Sequence, residues 1–234
     1  MSREFDRDYW EERHQSPAFA EGVRLPSPHL QAEVADLEPG VALDAGCGDG
    51  ANTRWLAERG WTVTGVDFSP TALERARERT AELAPEEADR LTWVRADLTE
   101  WKPEQSRYDL VTSLFVHPAG SRDDLFRGLA DAVAPGGTLL IMGHHPAEQF
   151  DGVYGTDSDE AFFTPEAVTA LLDPADWEVD TAEAMQRTSH GSHGRPGERE
   201  HCANGSHAPH GDHGHGDGGE VSVHDTVVRA RRIR

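Results

Sequence analysis

Seven residues, Asp44-Ala45-Gly46-Cys47-Gly48-Asp49-Gly50, stand where an apolar run ends and a helical pattern begins. Glycines at such a turn let the main chain approach a ligand closely, and the N–H groups that open the next helix lack internal partners. Asp67 closes the following apolar run, about 20 residues on, where a carboxylate can accept from both hydroxyls of a ribose. Asp97 closes the third run and is placed to accept from the amino group of a base. Together these residues predict a nucleoside site. The spacing Gly46-x-Gly48-x-x-Ala51 also satisfies a dinucleotide fingerprint, so the glycines alone leave a nicotinamide cofactor open. Asp44 argues against it, because a carboxylate at the strand end repels a pyrophosphate and suits an ammonium.

Histidine supplies the second set of reactive groups. Of 13, only His14 and His29 precede the fourth apolar run. His117 ends that run, His144 and His145 end the fifth, and His224 opens the last. Residues 188–220, rich in Gly, His, Pro and Ser, hold His190, His193, His201, Cys202, His207, His210, His213 and His215. Two chemistries are open to these groups. His117, His145 or His224 can serve a substrate as general base or as donor to an anion. The spacings His207-x-x-His210 and His213-x-His215, with Cys202, loosely suit Zn²⁺, Ni²⁺ or Cu, but match no rigid ligand template. A low-complexity loop that meets metal only by accident has the same composition.

The elements that would position these groups alternate. Strands are expected at 41–46, 61–68, 91–98, 108–117 and 138–145, with helices at 52–60, from Ser69-Pro70 onward, and at 121–133, and a Pro135-Gly136-Gly137 turn before the fifth strand. Thr164-Pro165 caps a further helix, and strands at 177–187 and 221–234 flank the histidine-rich loop. Alternation of this kind implies an α/β fold, a doubly wound Rossmann-like sheet of about seven strands with helices on both faces. The last two strands have no helix between them, so the final one must run antiparallel. That topology gathers His117, His144, His145 and His224 at the carboxyl edge of the sheet. Residues 5–20 predict a short amphipathic helix, and 1–234 reads as one domain with residues 1–40 as a helical lid.

S-adenosylmethionine carries an ammonium, a sulfonium, a ribose and an adenine, and no phosphate, which matches the acidic inventory of the site. LDAGCGDGANTRWLAERGWTVTGVDFS resembles motif I and its continuation in the class I S-adenosylmethionine-dependent methyltransferases, and RADL, YDLVTS and APGGTLLI resemble their later motifs. The resemblance implies that Asp44, Ala45, Gly46, Cys47, Gly48 and Gly50 surround the amino-acid part of the cofactor. It places Asp67 on the ribose, Phe68 and Leu98 beside the adenine, Asp97 on its amino group, and Ser113 beside the sulfonium. The opening DYWEERH is similar to that of small-molecule methyltransferases of the thiopurine and tellurite-resistance type, which makes Trp10 and Arg13 lid residues and, by analogy, a soft S, Se, Te or As nucleophile the acceptor. Leu114-Phe115-Val116-His117-Pro118 replaces the Asn/Asp-Pro-Pro-aromatic run of nucleic-acid amine methyltransferases.

Charge points the same way. The chain carries 43 Asp plus Glu against 22 Lys plus Arg, a net charge of −21. Nucleic acid and anionic membranes are poor partners for such a surface, and a small molecule is the expected one. Two cysteines, no apolar leader and no run of about 18 apolar residues predict a reducing, cytoplasmic setting. The rival reading is a metal-binding or metal-sensing protein on a methyltransferase scaffold, holding zinc or nickel at His207, His210, His213 and His215.

Overall fold

A computed structural model describes residues 7–16, 25–146, 161–189 and 221–234. Seven strands form one sheet in the order β3-β2-β1-β4-β5-β7-β6. They are β1 (Val41–Ala45), β2 (Thr62–Asp67), β3 (Leu91–Arg95), β4 (Tyr108–Leu114), β5 (Val133–His144), β6 (Trp177–Ser189) and β7 (Val221–Arg232). The first five pair in parallel, and β7 runs antiparallel to both β5 and β6. The expected architecture is therefore present, with the order reversing between β1 and β4, the position where open α/β sheets leave a crevice at their carboxyl ends.

Helices α1 (Arg7–Gln15), α2 (Pro28–Glu33), α3 (Ala51–Glu58), α4 (Pro70–Thr80), α5 (Pro85–Ala88), α6 (Arg122–Ala132) and α7 (Pro165–Thr169) complete the described elements. Short side chains start them where the sequence implies. The Ser69 hydroxyl accepts from the Ala72 amide at 3.0 Å to open α4, and Ser121 does the same for the Asp124 amide at 3.1 Å to open α6. Because both faces of the sheet are covered, the central strands are apolar on both sides. Val111, Ile141 and Val228 pack with Leu125, Phe126 and Leu129 of α6. On the other face Leu110, Leu140, Met142 and Val227 pack with Leu30 of α2 and with Trp55 and Leu56 of α3.

Several boundaries differ from the sequence reading. The third strand stops at Arg95, so Asp97 and Leu98 lie in the turn beyond it. The fourth stops at Leu114, because Phe115 takes a positive φ of 56° that no strand accommodates, and His117 lies past the break. The fifth begins at Val133 instead of after the glycines. Tyr108 faces Val133 and Leu110 faces Thr138, so the Pro135-Gly136-Gly137 stretch is an excursion within one strand. The first helix is shorter than 5–20 among the described residues, and α2 and α5, both begun by proline, were not anticipated. β6 runs on to Ser189, two residues into the expected loop.

Candidate cofactor and acceptor site

The turn after β1 owes its shape to Gly46, Gly48 and Gly50, with φ of 80°, 54° and 81°. The amides of Gly46 and Cys47 both donate to the Val66 carbonyl, at 2.8 and 3.0 Å, tying the turn to β2. A methyl group built on Gly46 would meet Val116 Cγ2 at 2.3 Å, whereas one on Gly48 would meet only His14 Cε1, at 3.9 Å. The turn is therefore closed toward the sheet and open above Gly48.

Three carboxylates surround it. Asp44 is 2% exposed and accepts from the hydroxyls of Thr53 (2.6 Å) and Thr112 (3.0 Å). Burial pushes its carboxyl up, against the pull of those two hydroxyls. Asp67, 7% exposed, bridges the site's two halves, one oxygen accepting from the Gly48 amide at 2.8 Å and the other from the Ser69 amide at 2.9 Å. Burial pushes it up as well, with the amide donors opposing. A carboxylate offers about four acceptor positions, so both oxygens keep capacity for a diol. Asp97 accepts from the Thr99 amide and hydroxyl at 2.8 and 2.7 Å, and its second oxygen pairs with Arg7, whose Nε stands at 2.6 Å. Burial raises the Asp97 carboxyl, but Thr99 and Arg7 together hold it below its ordinary value.

Helix α1 lies across these groups. Glu11 accepts from the hydroxyls of Ser69, at 2.5 Å, and Thr71, and Arg75 donates to the His14 carbonyl at 2.5 Å. Trp10 stacks on His117 with ring centroids 5.3 Å apart and planes 20° apart, and the Arg13 guanidinium stands 5.7 Å from the Trp10 centroid. Trp10 and Arg13, the expected lid residues, thus lie on the helix that meets His117. Arg7 and Glu11, which join α1 to Asp97 and to the start of α4, were not singled out, although their charge four residues apart on one helix face was visible.

The other site residues separate by environment. Phe68 is half-buried beside Asp67, and its carbonyl accepts from Arg95 at 3.3 Å. Leu98 packs into the apolar layer of α6. Ala45 and Cys47 are buried, and the thiol is pushed well above its ordinary value by burial and by Asp67 and Asp44, so it is inert. The Ser113 hydroxyl, 1% exposed, has no hydrogen-bond partner among the described residues. His117 is driven down to about 4, first by burial and then by Arg13. His144, not His145, stacks on it at 5.3 Å. His145 turns toward His224 instead, at 6.5 Å, and its amide donates to the His224 carbonyl. The choice follows from strand parity: His144 shares a face with Leu140 and Met142, and His145 does not.

A family profile described as "Methyltransferase domain" matches residues 42–137. Trans-aconitate 2-methyltransferase of Streptomyces avermitilis is 34% identical over 187 residues, 69% of this chain and 68% of that protein. The chain belongs to the S-adenosylmethionine-dependent methyltransferases. Other members match over less of their length: the trans-aconitate 2-methyltransferase of Sinorhizobium fredii is 36% identical over 126 residues, 53% of this chain and 46% of that one. The chain spans about half the length of such curated relatives. An S-adenosylmethionine-dependent methyltransferase from Mesorhizobium loti shares the fold, with a TM-score of 0.58 at 22% identity over 88% of this chain and 96% of its own.

In this chain the described residues fit the family's cofactor on two counts, the space above Gly48 and the orphaned Ser113 hydroxyl. A metal centre is a different matter. Among the described residues no three His, Cys, Asp or Glu side chains converge on one point, and His207, His210, His213 and His215 lie outside the described residues. No described helix is long and apolar enough to cross a membrane.

Proposed function

We propose that this chain methylates a small molecule whose nucleophile arrives already deprotonated, and that it needs no general base. The observation that carries this reading is the setting of His117, stacked between Trp10 and His144 at the carboxyl edge, where burial and then Arg13 drive its imidazole down to about 4. A base that weak takes no proton from an alcohol or an ammonium near neutral pH. It remains a competent N–H donor to an anion. Two acceptor classes fit: a carboxylate, as the name of the trans-aconitate relatives suggests, and a soft thiolate-like nucleophile, which is ionised in part at neutral pH.

When bound, S-adenosylmethionine supplies a methyl group activated by its sulfonium. In this proposal Asp67 holds the ribose, and Asp44, fixed by Thr53 and Thr112, presents negative charge toward the ammonium. The amide and hydroxyl of Thr99 orient Asp97 for the adenine amino group, with Phe68 and Leu98 alongside. Ser113 lines the reacting centre, and Trp10 on α1 excludes water from it. Orientation and desolvation of this kind lower the barrier to an in-line displacement by several kcal/mol, on the order of 7–11 at best. The −21 charge of the chain supports a small acceptor over nucleic acid.

The decisive experiment is a calorimetric titration of the full chain with S-adenosylhomocysteine, after chelator treatment and again with Zn²⁺ or Ni²⁺, followed by an acceptor screen of trans-aconitate and small thiols read by mass spectrometry. Binding without metal and methylation of one class support the proposal. Binding only with metal would move the function to the histidine-rich segment. Turnover confined to amines or alcohols would remove the role given to His117.

Two further outcomes are expected. Arg7 occupies an oxygen of Asp97 that the adenine amino group would use, and its own side chain is 54% exposed. Arg7→Ala should therefore tighten S-adenosylhomocysteine two- to fivefold, a change worth about 0.4–1 kcal/mol. The His117 imidazole takes a proton near pH 6.5 when unfolded but only near 4 when folded. Its contribution is whole above 6.5 and is lost as pH falls toward 4, about 3 kcal/mol at full expression. Urea midpoints at pH 7 and 4.5 should differ less in His117→Phe than in wild type, and the rate should show no His117 limb between pH 5 and 8.

A further inference from the structure

Two strands end side by side with an acid against a base. In the β5–β7 ladder His144 stands directly opposite Asp225, so both side chains leave the same face of the sheet. Asp225 is 0% exposed and His144 8%. His144 Nδ1 lies 3.9 Å from Asp225 Oδ1, beyond a neutral hydrogen bond and within the reach of an ion pair. A face of the same imidazole stacks on His117, which in turn stacks on Trp10. Phe115 and Phe162 flank it at 5.1 and 6.2 Å. A column thus runs from a fully buried carboxylate, through two imidazoles, to the helix that covers the site.

In free solution imidazole is a stronger base than a carboxylate by about 2.5 units, so a proton shared between two such groups rests on the ring. Burial opposes the cation, while an opposite charge about 4 Å away favours it. His144 meets Asp225 from β7, His117 from the segment after β4 and the rings of Phe115 and Phe162, while Trp10 and Arg13 of α1 stand beyond His117. Burial, and after it Arg13, keeps the proton off the outer imidazole, His117.

We propose that Asp225 maintains His144 as a cationic positioning residue, which sets one positive charge behind His117 and draws an anionic acceptor against it. The catalytic consequence rests on the function proposed above; the charge state of the pair does not. The test is a ¹⁵N-histidine NMR titration of the full chain, with the His144 signals assigned by their loss in His144→Phe. Both ring nitrogens of His144 should carry protons at pH 7, and Asp225→Asn should lower its proton affinity tenfold or more. A neutral His144 at pH 7 in the wild-type chain overturns the proposal without recourse to any variant. With the acceptor that the screen identifies, Asp225→Asn should raise KM at least tenfold, leave the Kd of S-adenosylhomocysteine within twofold, and be partly restored in Asp225→Glu. A loss of cofactor affinity in place of the KM effect would also overturn it. Absence of S-adenosylhomocysteine binding in wild type would sink the methyltransferase reading and leave the NMR result to decide the pair.

Discussion

Replacing Asp67 with asparagine is expected to weaken S-adenosylhomocysteine binding by about 100-fold or more while the chain still folds. The carboxylate holds the glycine turn to the start of α4 through the amides of Gly48 and Ser69, and its spare lone pairs are the acceptors that the proposal gives to the ribose. Two charge-assisted hydrogen bonds to a diol are worth about 1.5–3 kcal/mol each, which converts to at least 100-fold. Asparagine preserves shape but sets an NH₂ against one of the two amides, so a stability cost of about 1–3 kcal/mol accompanies the loss of affinity. Calorimetry and thermal melting on the same sample separate the two effects. An affinity within threefold of wild type would show that Asp67 only braces the turn.

The second large effect lies in the turn itself, in the contrast between Gly46→Ala and Gly48→Ala. Both positions have positive φ, which costs an alanine about 1–2 kcal/mol. At Gly46 the new methyl also collides with Val116 at 2.3 Å, so the turn or the segment after β4 must move. A total loss of about 2–4 kcal/mol of stability is expected there, about half of it overpacking. Val116→Ala in the same chain should recover part of it, a coupling a double-mutant cycle would measure. At Gly48 the methyl has only an ordinary contact with His14. Stability should fall by the backbone term alone, about 1 kcal/mol, yet cofactor affinity should drop tenfold or more, because the methyl projects into the space left for the ligand. Unchanged cofactor affinity in Gly48→Ala would mean that the opening above Gly48 is not where the cofactor lies.

The sheet was legible because its central strands are buried on both faces and several of its helices start at hydroxyl caps, two signals that local sequence carries. Ser69, Ser121 and Thr164 all cap where expected. Boundaries at the carboxyl edge were less legible. Phe115 breaks β4 through a left-handed backbone conformation that its side chain does not announce, and the glycine stretch of β5 bulges within the ladder where a free turn was expected. In the site, the motif residues around Asp44 and Asp67 could be named from their spacing, since each belongs to one strand end. The acceptor side could not be named so simply. Whether His144 or His145 turns inward depends on face parity, and the value of Asp225 depends on a partner about 80 residues away in another strand. Long-range register decides both, and no local pattern encodes it.

The hairpin of β6 and β7 has a consequence for how such a protein can diversify. Its ladder is paired to the very end, with Ser189 opposite Val221, and its far edge is the outermost strand of the sheet. The two points that residues 190–220 connect are thus direct partners in the ladder. Loop-closure entropy rises only about 0.6 kcal/mol for each doubling of length, so segments of very different size can be exchanged there with little effect on folding. The junction is a natural grafting point, at the same edge as the column from Asp225 to Trp10, where a lineage can try new acceptor specificities without disturbing the nucleoside half.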